Sequence, residues 1–495
     1  MIYLVVRCIY CGKLYCVTDK PYTAPHAAAR RVVRLLSGTA QNLSVDWYMH
    51  DPQTQLTAAV HIVKTLTDRG FEAYFAGGWV RDFVMNSSQK SDIDIATNAT
   101  PDSIRKIFGQ TIGVGEQFGV MIVVKDAIPF EVATFRSDVG IKDGRHPERV
   151  VFTDAKNDAL RRDFTINGMF FNPFTEEVID YTEGQVDIQN KIIRAIGDPA
   201  QRFSEDYLRM LRAVRFAARF GYTIEENTFR AIKDNAVYIK DISVERIFAE
   251  MSKMLTGKNP DASLKLLHES TLLPQFLPEA ENLCGIEQPP QFHPEGDVFV
   301  HTVKTLSFLP ENPPAQLAWA AFLHDIGKPS VMTVSDRIRF NNHHRSGAIM
   351  SEALLKRLKA PNALIDAVSG MVDNHMNFMN VGKMRLSTLK KFLSRPTIRD
   401  ELELHRADCL ASHGDLQNYY FVKERLDEFK IEEIKPKAFI SGKDLIELGL
   451  RPGPVFGKIL SDIYDLQLEE RVTTKEEALE EAKKLIIALS TEKAE

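Results

Sequence analysis

Apolar residues recur at helical spacing over 55–68, at Leu56, Ala59, Val60, Val63 and Leu66, and Gly70 closes the run. Ala73-Tyr74-Phe75-Ala76 then reads as a strand entering a Gly77-Gly78 turn, and a short helix follows. A strand is expected over 92–95, and Thr100-Pro101-Asp102 opens another helix with proline in its first turn. The runs 120–124 and 130–134 are β-rich, and this small α/β unit ends near Tyr181. From Ile196 onward the pattern is almost purely helical, with one long helix expected over 203–220 and another over 244–255. Residues 287–294 are proline-rich and read as a linker. A second helical block, 298–426, holds most of the histidines. A third follows residue 431, interrupted by Arg451-Pro452-Gly453-Pro454, and the Lys/Glu-rich end reads as a solvated helix that frays. No internal repeat is present in this pattern.

Length and composition narrow the class. The 495 residues suggest about three domains. With 44% hydrophobic and 26% charged residues, the chain has the makings of an ample core. The net charge of -5 means that any nucleic-acid binding must use local basic faces. No apolar run reaches the ~18 residues that span a bilayer, so no membrane partner is expected. Five cysteines argue for a reducing compartment, and a cytoplasmic location is expected. Cys8, Cys11 and Cys16 cluster near the start with His26, a weak zinc candidate. The first 48 residues also carry Arg30, Arg31 and Arg34, with few acids. They read as a targeting segment or an upstream extension, the latter favoured because Met49 opens a clean helical pattern, and are expected to be poorly ordered.

The chemistry begins with Asp92-Ile93-Asp94, a dozen residues after Gly77-Gly78-Trp79-Val80-Arg81-Asp82. Carboxylates at i and i+2 on a strand share a side. They suit two Mg2+ ions bridging a nucleoside triphosphate, while the glycine pair lets backbone approach phosphates. Glu131, flanked by apolar residues, is the candidate third acid, though an acid facing water from an edge strand fits nearly as well. In Arg161-Arg162-Asp163-Phe164-Thr165-Ile166-Asn167, the arginines can clamp triphosphate and Asp163 or Asn167 can take a ribose hydroxyl. Asp206 and Arg209 are three apart, so on a helix they share a face. A carboxylate accepts from the amino groups of cytosine and adenine, and a guanidinium donates to their ring acceptors. Guanine and uracil place an oxygen there instead. The competing reading is an ordinary helical salt bridge, worth about 0.3–0.5 kcal/mol. Arg209, Arg212, Arg215 and Arg219 form a stripe that faces either phosphates or water.

These four ordered motifs, with Glu205-Asp206-Tyr207-Leu208-Arg209 as the last, resemble the bacterial-type (class II) tRNA nucleotidyltransferase and poly(A) polymerase family over residues 70–260. The resemblance implies an α+β architecture: a polymerase-β-like head followed by all-α neck and body. It implies metal binding by Asp92 and Asp94, and base reading by Asp206 and Arg209 with Glu205 steadying the arginine. Gly77, Gly78, Arg81, Asp82, Arg162, Asp163 and Asn167 would complete the nucleotide site. Val244-Glu245-Arg246-Ile247 resembles the neck-helix motif, and the polar loop 137–148 resembles the flexible loop that switches from C to A. Gly168 departs from the family's usual alanine. Val114-Gly115-Glu116-Gln117-Phe118-Gly119-Val120 looks like the CCA-adding branch, whereas the poly(A) branch is more basic there.

His301, His324-Asp325, His343, His375 and Asp408 form a further ordered series, which resembles the HD-type metal phosphohydrolase domain over 298–426. The resemblance implies a metal quartet of His301, His324, Asp325 and Asp408, with His343 and His375 serving a second metal or a phosphate. His343 is preferred to the adjacent His344 for its spacing to Gly347-Ala348. The metal would be Mg2+ or a divalent transition metal, and the activity an RNA-end phosphohydrolase. A retained helical scaffold for tRNA is the alternative. Residues 440–460 look like the family's C-terminal RNA-binding segment.

The domains expected are therefore 1–48 (extension), 49–181 (head), 182–290 (neck and body), 291–430 (HD-type) and 431–495 (C-terminal). The expected function is template-independent addition of CCA to the tRNA 3′ end from CTP and ATP. An enzyme using ATP only is the first rival. A phosphohydrolase with an RNA-binding head is the second, and a non-catalytic tRNA-binding protein the third. The sequence does not indicate an oligomeric state.

Overall fold

The computed structural model describes residues 5–7, 14–16, 51–88, 91–113, 116–141, 147–291, 293–429 and 431–491. Beyond a short antiparallel pair, Val5–Arg7 with Leu14–Cys16, most of the first 48 residues lie outside this set. The expected disorder there, and Cys8, Cys11 and His26 of the candidate zinc cluster, lie outside it as well. The described chain forms two compact units that divide at Ala249 and Glu250, inside the segment expected as neck and body.

The first unit is built on a seven-stranded sheet. Its order is Glu177–Asp180, Met169–Asn172, Ala73–Ala76, Asp94–Thr97, Ile128–Thr134, Val120–Lys125 and Thr111–Ile112. All neighbours are antiparallel except Asp94–Thr97 beside Ile128–Thr134, which run parallel with Ile95 opposite Val132. The helix Pro52–Thr67 covers the expected run; Asp51 caps it and Ala58, Ala59, Ile62, Val63 and Leu66 are buried. Thr100 likewise caps Pro101–Ile107. The hairpin between Val120–Lys125 and Ile128–Thr134 turns on Asp126 and Ala127, both at positive φ (51° and 63°). Two left-handed residues in a two-residue turn match the right-handed twist of the strands.

On the face of the sheet away from Asp94, Phe75 stacks against Phe171 and meets Trp79 edge-on, while Tyr74, Phe135 and Phe170 form a separate group on the opposite face. A second hairpin, Arg136–Ile141 with Pro147–Phe152, carries the polar loop. The loop's tip, residues 142–146, lies outside the described residues.

Two expectations need correction. Residues 203–220 are not one helix: Pro199–Glu205 ends, Asp206 is extended (φ -158°, ψ 99°), and Leu208–Phe220 begins. The Asp206 carboxylate accepts the Leu208 N–H at 3.1 Å, the competition with helical bonding that short acidic side chains offer. Periodicity alone runs straight across such a cap. Residues 287–294 are also more than a linker. The Gln288 N–H bonds Gly296 O at 3.1 Å and Val298 N–H bonds Ile286 O at 3.0 Å, folding this stretch back on itself. Gln288 is buried and accepts from Lys328 Nζ at 2.6 Å.

The second unit is helical. Val298–Ser307, Ala315–Leu323, His343–Arg357, Asn362–Asn374 and Ile398–Ala411 surround an apolar interior that includes Trp319, Phe322, Leu355 and Met371. Gly442–Glu447, Pro454–Leu468 and Lys475–Thr491 share a further core of Ile440, Leu445, Ile459, Ile463, Val472, Ala478 and Ala482. The last helix is thus docked by one face rather than wholly solvated. Among the described residues no helix is long and apolar enough to cross a membrane.

Phe75 has no exposed surface. Phe75→Ala is expected to destabilise the first unit by about 3–5 kcal/mol, read as a lowered unfolding midpoint in denaturant.

Candidate functional site

One cleft of about 730 Å3 in the first unit is lined by residues from all four expected motifs. Its floor is the parallel strand pair. Since Ile95 faces Val132, Asp94 and Glu131 are neighbours across the two strands, while Phe130 and Val132 alternate into the core. Water reaches Asp94 through the cleft, yet protein surrounds its carboxylate. This desolvation, with the charge of Glu131, outweighs Arg162 and raises its pKa to about 7. Burial raises Glu131 as well. The strand begins at Asp94 and not at residue 92 as expected, so Asp92 lies just before it, exposed and not among the lining residues. Gathered like charges that resist ionisation are a donor set suited to divalent cations.

Gly77 sits at φ 67°, where a side chain is strained, and a Cβ there would lie 3.7 Å from Asp94 Oδ2 and 3.5 Å from Arg162 Nη1. The turn therefore runs directly past the carboxylate. Gly78 and Arg81 also line the cleft. Arg81 is buried and committed internally, to Asp82 at 2.6 Å and to Asn167 Oδ1 at 2.8 Å. Asp82 also accepts from Ser91 N–H and Oγ, so it anchors the turn and is not among the lining residues.

The next motif is organised by a residue that the sequence reading passed over. Asp158 is buried and takes Arg161 on one oxygen at 2.7 Å and Arg162 on the other at 3.0 Å. Against the upward push of burial, these two guanidiniums hold its pKa below the usual range. Asp163 is similarly occupied: Arg212 donates at 2.8 and 2.5 Å and Asn167 Nδ2 at 3.0 Å. Burial opposes its ionisation, but Arg212 and Asn167 prevail and lower its pKa to about 2. Arg209, Arg212 and Arg219 of the arginine stripe line the cleft; Arg215 is buried and not among the lining residues.

Glu205 Oε2 accepts from Arg209 at 2.5 Å and from Arg202 at 2.9 Å, which fixes the Arg209 head. Asp206 and Arg209 both line the cleft, on the helix break and on the following helix. Asp206 Oδ2 is held by Arg246 at 2.6 Å. The signal for Arg246 was present in Val244-Glu245-Arg246-Ile247, but its pairing with Asp206 needs the fold.

The second unit brings the histidine series together. His301 Nε2 lies 3.2 Å from His324 Nε2, 3.0 Å from Asp408 and 3.6 Å from Asp325. His343 Nε2 lies 3.1 Å from His375 Nε2 and 3.4 Å from Asp325. His343, not His344, is the member turned inward. His324, His343 and His375 each direct Nδ1 to a backbone carbonyl, of Ala321, Phe340 and Val372 respectively. That fixes the tautomer with the Nε2 lone pairs facing one another. Burial, with His343 and His324 nearby, pushes His375 down to about 3. Burial opposes a charge on His301, but Asp408 and Glu295 outweigh it and raise its pKa to about 9. Opposed lone pairs and a buried carboxylate fit a bound cation.

Gly327 makes this convergence possible, because a Cβ there would meet His343 O at 2.3 Å and Gly347 N at 2.5 Å. Lys328 Nζ bonds Asp325 at 2.7 Å. Glu295 and His293 also join the cluster, and neither was picked out in the sequence.

Asp158→Ala is expected to cost roughly 2 kcal/mol, less than the ~3–5 kcal/mol of a fully buried pair because both arginines reach water. The check is denaturant unfolding, read as a lowered midpoint relative to wild type.

Comparison with known proteins gives a family model described as "Poly A polymerase head domain" over residues 73–194. A second, "Probable RNA and SrmB-binding site of polymerase A", matches 221–284, and a tRNA nucleotidyltransferase domain 2 model matches 347–482. A CCA-adding enzyme of Lactococcus lactis subsp. cremoris is 32% identical over 439 residues, covering 87% of this chain and 97% of the relative. One from Bacillus pumilus is 43% identical over 234 residues, covering 47% of this chain and 57% of the relative. Among solved structures, the Bacillus stearothermophilus CCA-adding enzyme in complex with CTP aligns with a TM-score of 0.71 and 26% identity. It covers 90% of this chain and 100% of that one.

Proposed function

Because this chain belongs to the family of CCA-adding enzymes, we propose that its N-terminal cleft transfers CMP and AMP from CTP and ATP to tRNA 3′ ends, completing CCA without a template. The carrying observation is that one cleft combines the Asp94–Glu131 carboxylates with Asp206 and Arg209. Asp92, Asp94 and Glu131 would hold Mg2+. When bound, Mg2+ supplies charge stabilisation at the α-phosphate and activation of the attacking hydroxyl. The chain's own residues do the rest. Gly77 and Gly78 let the turn pass close to the phosphates, and Arg162, anchored by Asp158, presents positive charge beside Asp94. Asp163 and Asn167 close the ribose side of the cleft while bridging Arg212 and Arg81.

Base choice falls to Asp206 and Arg209. Each Asp206 oxygen already accepts one donor, from Leu208 N–H or Arg246, and has a second lone-pair direction for an exocyclic amino group. Cytosine and adenine offer that amino group; guanine and uracil set a carbonyl oxygen against the carboxylate. Glu205 keeps Arg209 in register for the neighbouring ring acceptor.

The histidine cluster supports a second reading: a divalent metal centre at which an RNA-end phosphoester is hydrolysed. His301, His324, Asp325 and Asp408 would hold one ion and His343 and His375 another, with Asp325 in reach of both groups. The observation that favours this over a plain scaffold is the His343–His375 pair, whose Nε2 atoms face each other at 3.1 Å in a buried site with both Nδ1 protons given to backbone carbonyls, an arrangement that is repulsive without a cation.

The test of the first reading is incorporation from labelled CTP and ATP on tRNAs ending before CCA, after C and after CC. Addition of two C and then one A is expected; ATP use on the CC-ended tRNA alone, or long A tails, would overturn it. Asp92→Ala with Asp94→Ala is expected to lower addition by about 10³-fold or more and to spare phosphoester hydrolysis by the second unit. Loss of both activities in folded protein would refute two independent sites.

The raised pKa of Asp94 gives a pH signature. Its proton must leave before a cation binds, so apparent Mg2+ affinity should climb as pH rises through about 7 and level off above it. Nucleotide addition titrated with Mg2+ between pH 6 and 8 reads this directly.

A further inference from the structure

Glu295 stands apart from the other groups around the histidine cluster. It lies two residues beyond His293, in the stretch that leads into the helix Val298–Ser307. Its side chain has no exposed surface. One oxygen, Oε1, accepts from His301 Nδ1 at 2.6 Å and from His293 Nδ1 at 2.9 Å, while Oε2 has no hydrogen-bond partner among the described residues. His324, His343 and His375 are oriented by neutral backbone carbonyls; His301 is oriented by a carboxylate.

The difference matters chemically. A carboxylate on Nδ1–H fixes the tautomer and also pushes electron density through the ring, making Nε2 a stronger donor. The two candidate metal positions are then unequal. One, His301 with His324 and Asp408, has this added negative charge behind it; the other, Asp325 with His343 and His375, does not. We propose that Glu295 is the positioning residue of the histidine centre, making the His301–His324–Asp408 position the tighter of two divalent-metal positions, with His293 as the outer donor that keeps Glu295 aimed at His301.

This rests on the metal-centre reading above, and the experiment separates the two. Full-length protein stripped with chelator is titrated with Co2+, followed by its visible absorption and by metal analysis. Wild type is expected to bind in two steps. Glu295→Gln keeps an accepting oxygen but removes the charge; it should weaken the tighter step by about 10–100-fold and leave the weaker one in place. His293→Ala should weaken the same step by a smaller factor. Nucleotide addition to tRNA should be unchanged in both, and wild-type helical circular dichroism and thermal unfolding of the full-length variants show that the second unit, which carries Glu295 and His293, is folded. If Glu295→Gln proves unstable, His293→Ala alone carries the test, since it leaves the Glu295–His301 bond intact. Binding curves of the variants that superimpose on wild type would overturn the role of Glu295 and leave the metal centre standing. Wild type that takes up no Co2+ would overturn both.

Discussion

Charge matching is the constraint on which the N-terminal cleft depends. Acids and arginines crowd one wall, and almost every carboxylate there is tied to a named guanidinium: Asp82 to Arg81, Asp158 to Arg161 and Arg162, Asp163 to Arg212, Glu205 to Arg209, Asp206 to Arg246. Removing one partner of such a pair leaves a charge in a poorly solvated place, which costs far more than the pair contributes. The wall is therefore rigid. Asp94 and Glu131 are the exception. They are neighbours across the parallel strands, burial raises both, and Arg162 beside Asp94 and Arg136 near Glu131 offset only part of this. The cleft is thus balanced everywhere except where a cation is called for.

The histidine cluster obeys the same logic with different atoms. There the imbalance is one of lone pairs, held facing each other at His343 and His375 because backbone carbonyls claim both Nδ1 protons. Gly327 lets the backbone bearing His343 approach closely enough for this to happen. In both places the sequence sets up a local electrostatic deficit and surrounds it with groups that are fully satisfied.

Much of this was legible in the sequence, and the failures have physical causes. The strand carrying Asp94, the flanking glycines and the ordered histidines all declared themselves through spacing, because their chemistry requires fixed residue types close in sequence. Asp158, Arg246 and Glu295 did not. Each acts by pairing with a residue contributed by another motif or element: Asp158 and Glu295 are lone acids on unremarkable stretches, and for Arg246 the motif was visible but its partner Asp206 was not. The break at Asp206 escaped for a related reason: the apolar period continues through it, and only the side chain's bond to Leu208 N–H reveals the cap. The stretch 287–294 looked like a linker because prolines mark turns equally well in spacers and in tightly folded lips.

The two-residue turn at Asp126 and Ala127 bears no chemistry, yet it works as a ruler. It sets how far Ile128–Thr134 slides along Val120–Lys125, and that strand in turn lies parallel to Asp94–Thr97. Side chains alternate faces along a strand. One residue gained or lost in the turn would favour a slipped pairing that swings Phe130 or Val132 toward the cleft and buries Glu131 in hydrocarbon. The turn's length, more than the side chains in it, is therefore what keeps Glu131 on the cleft face.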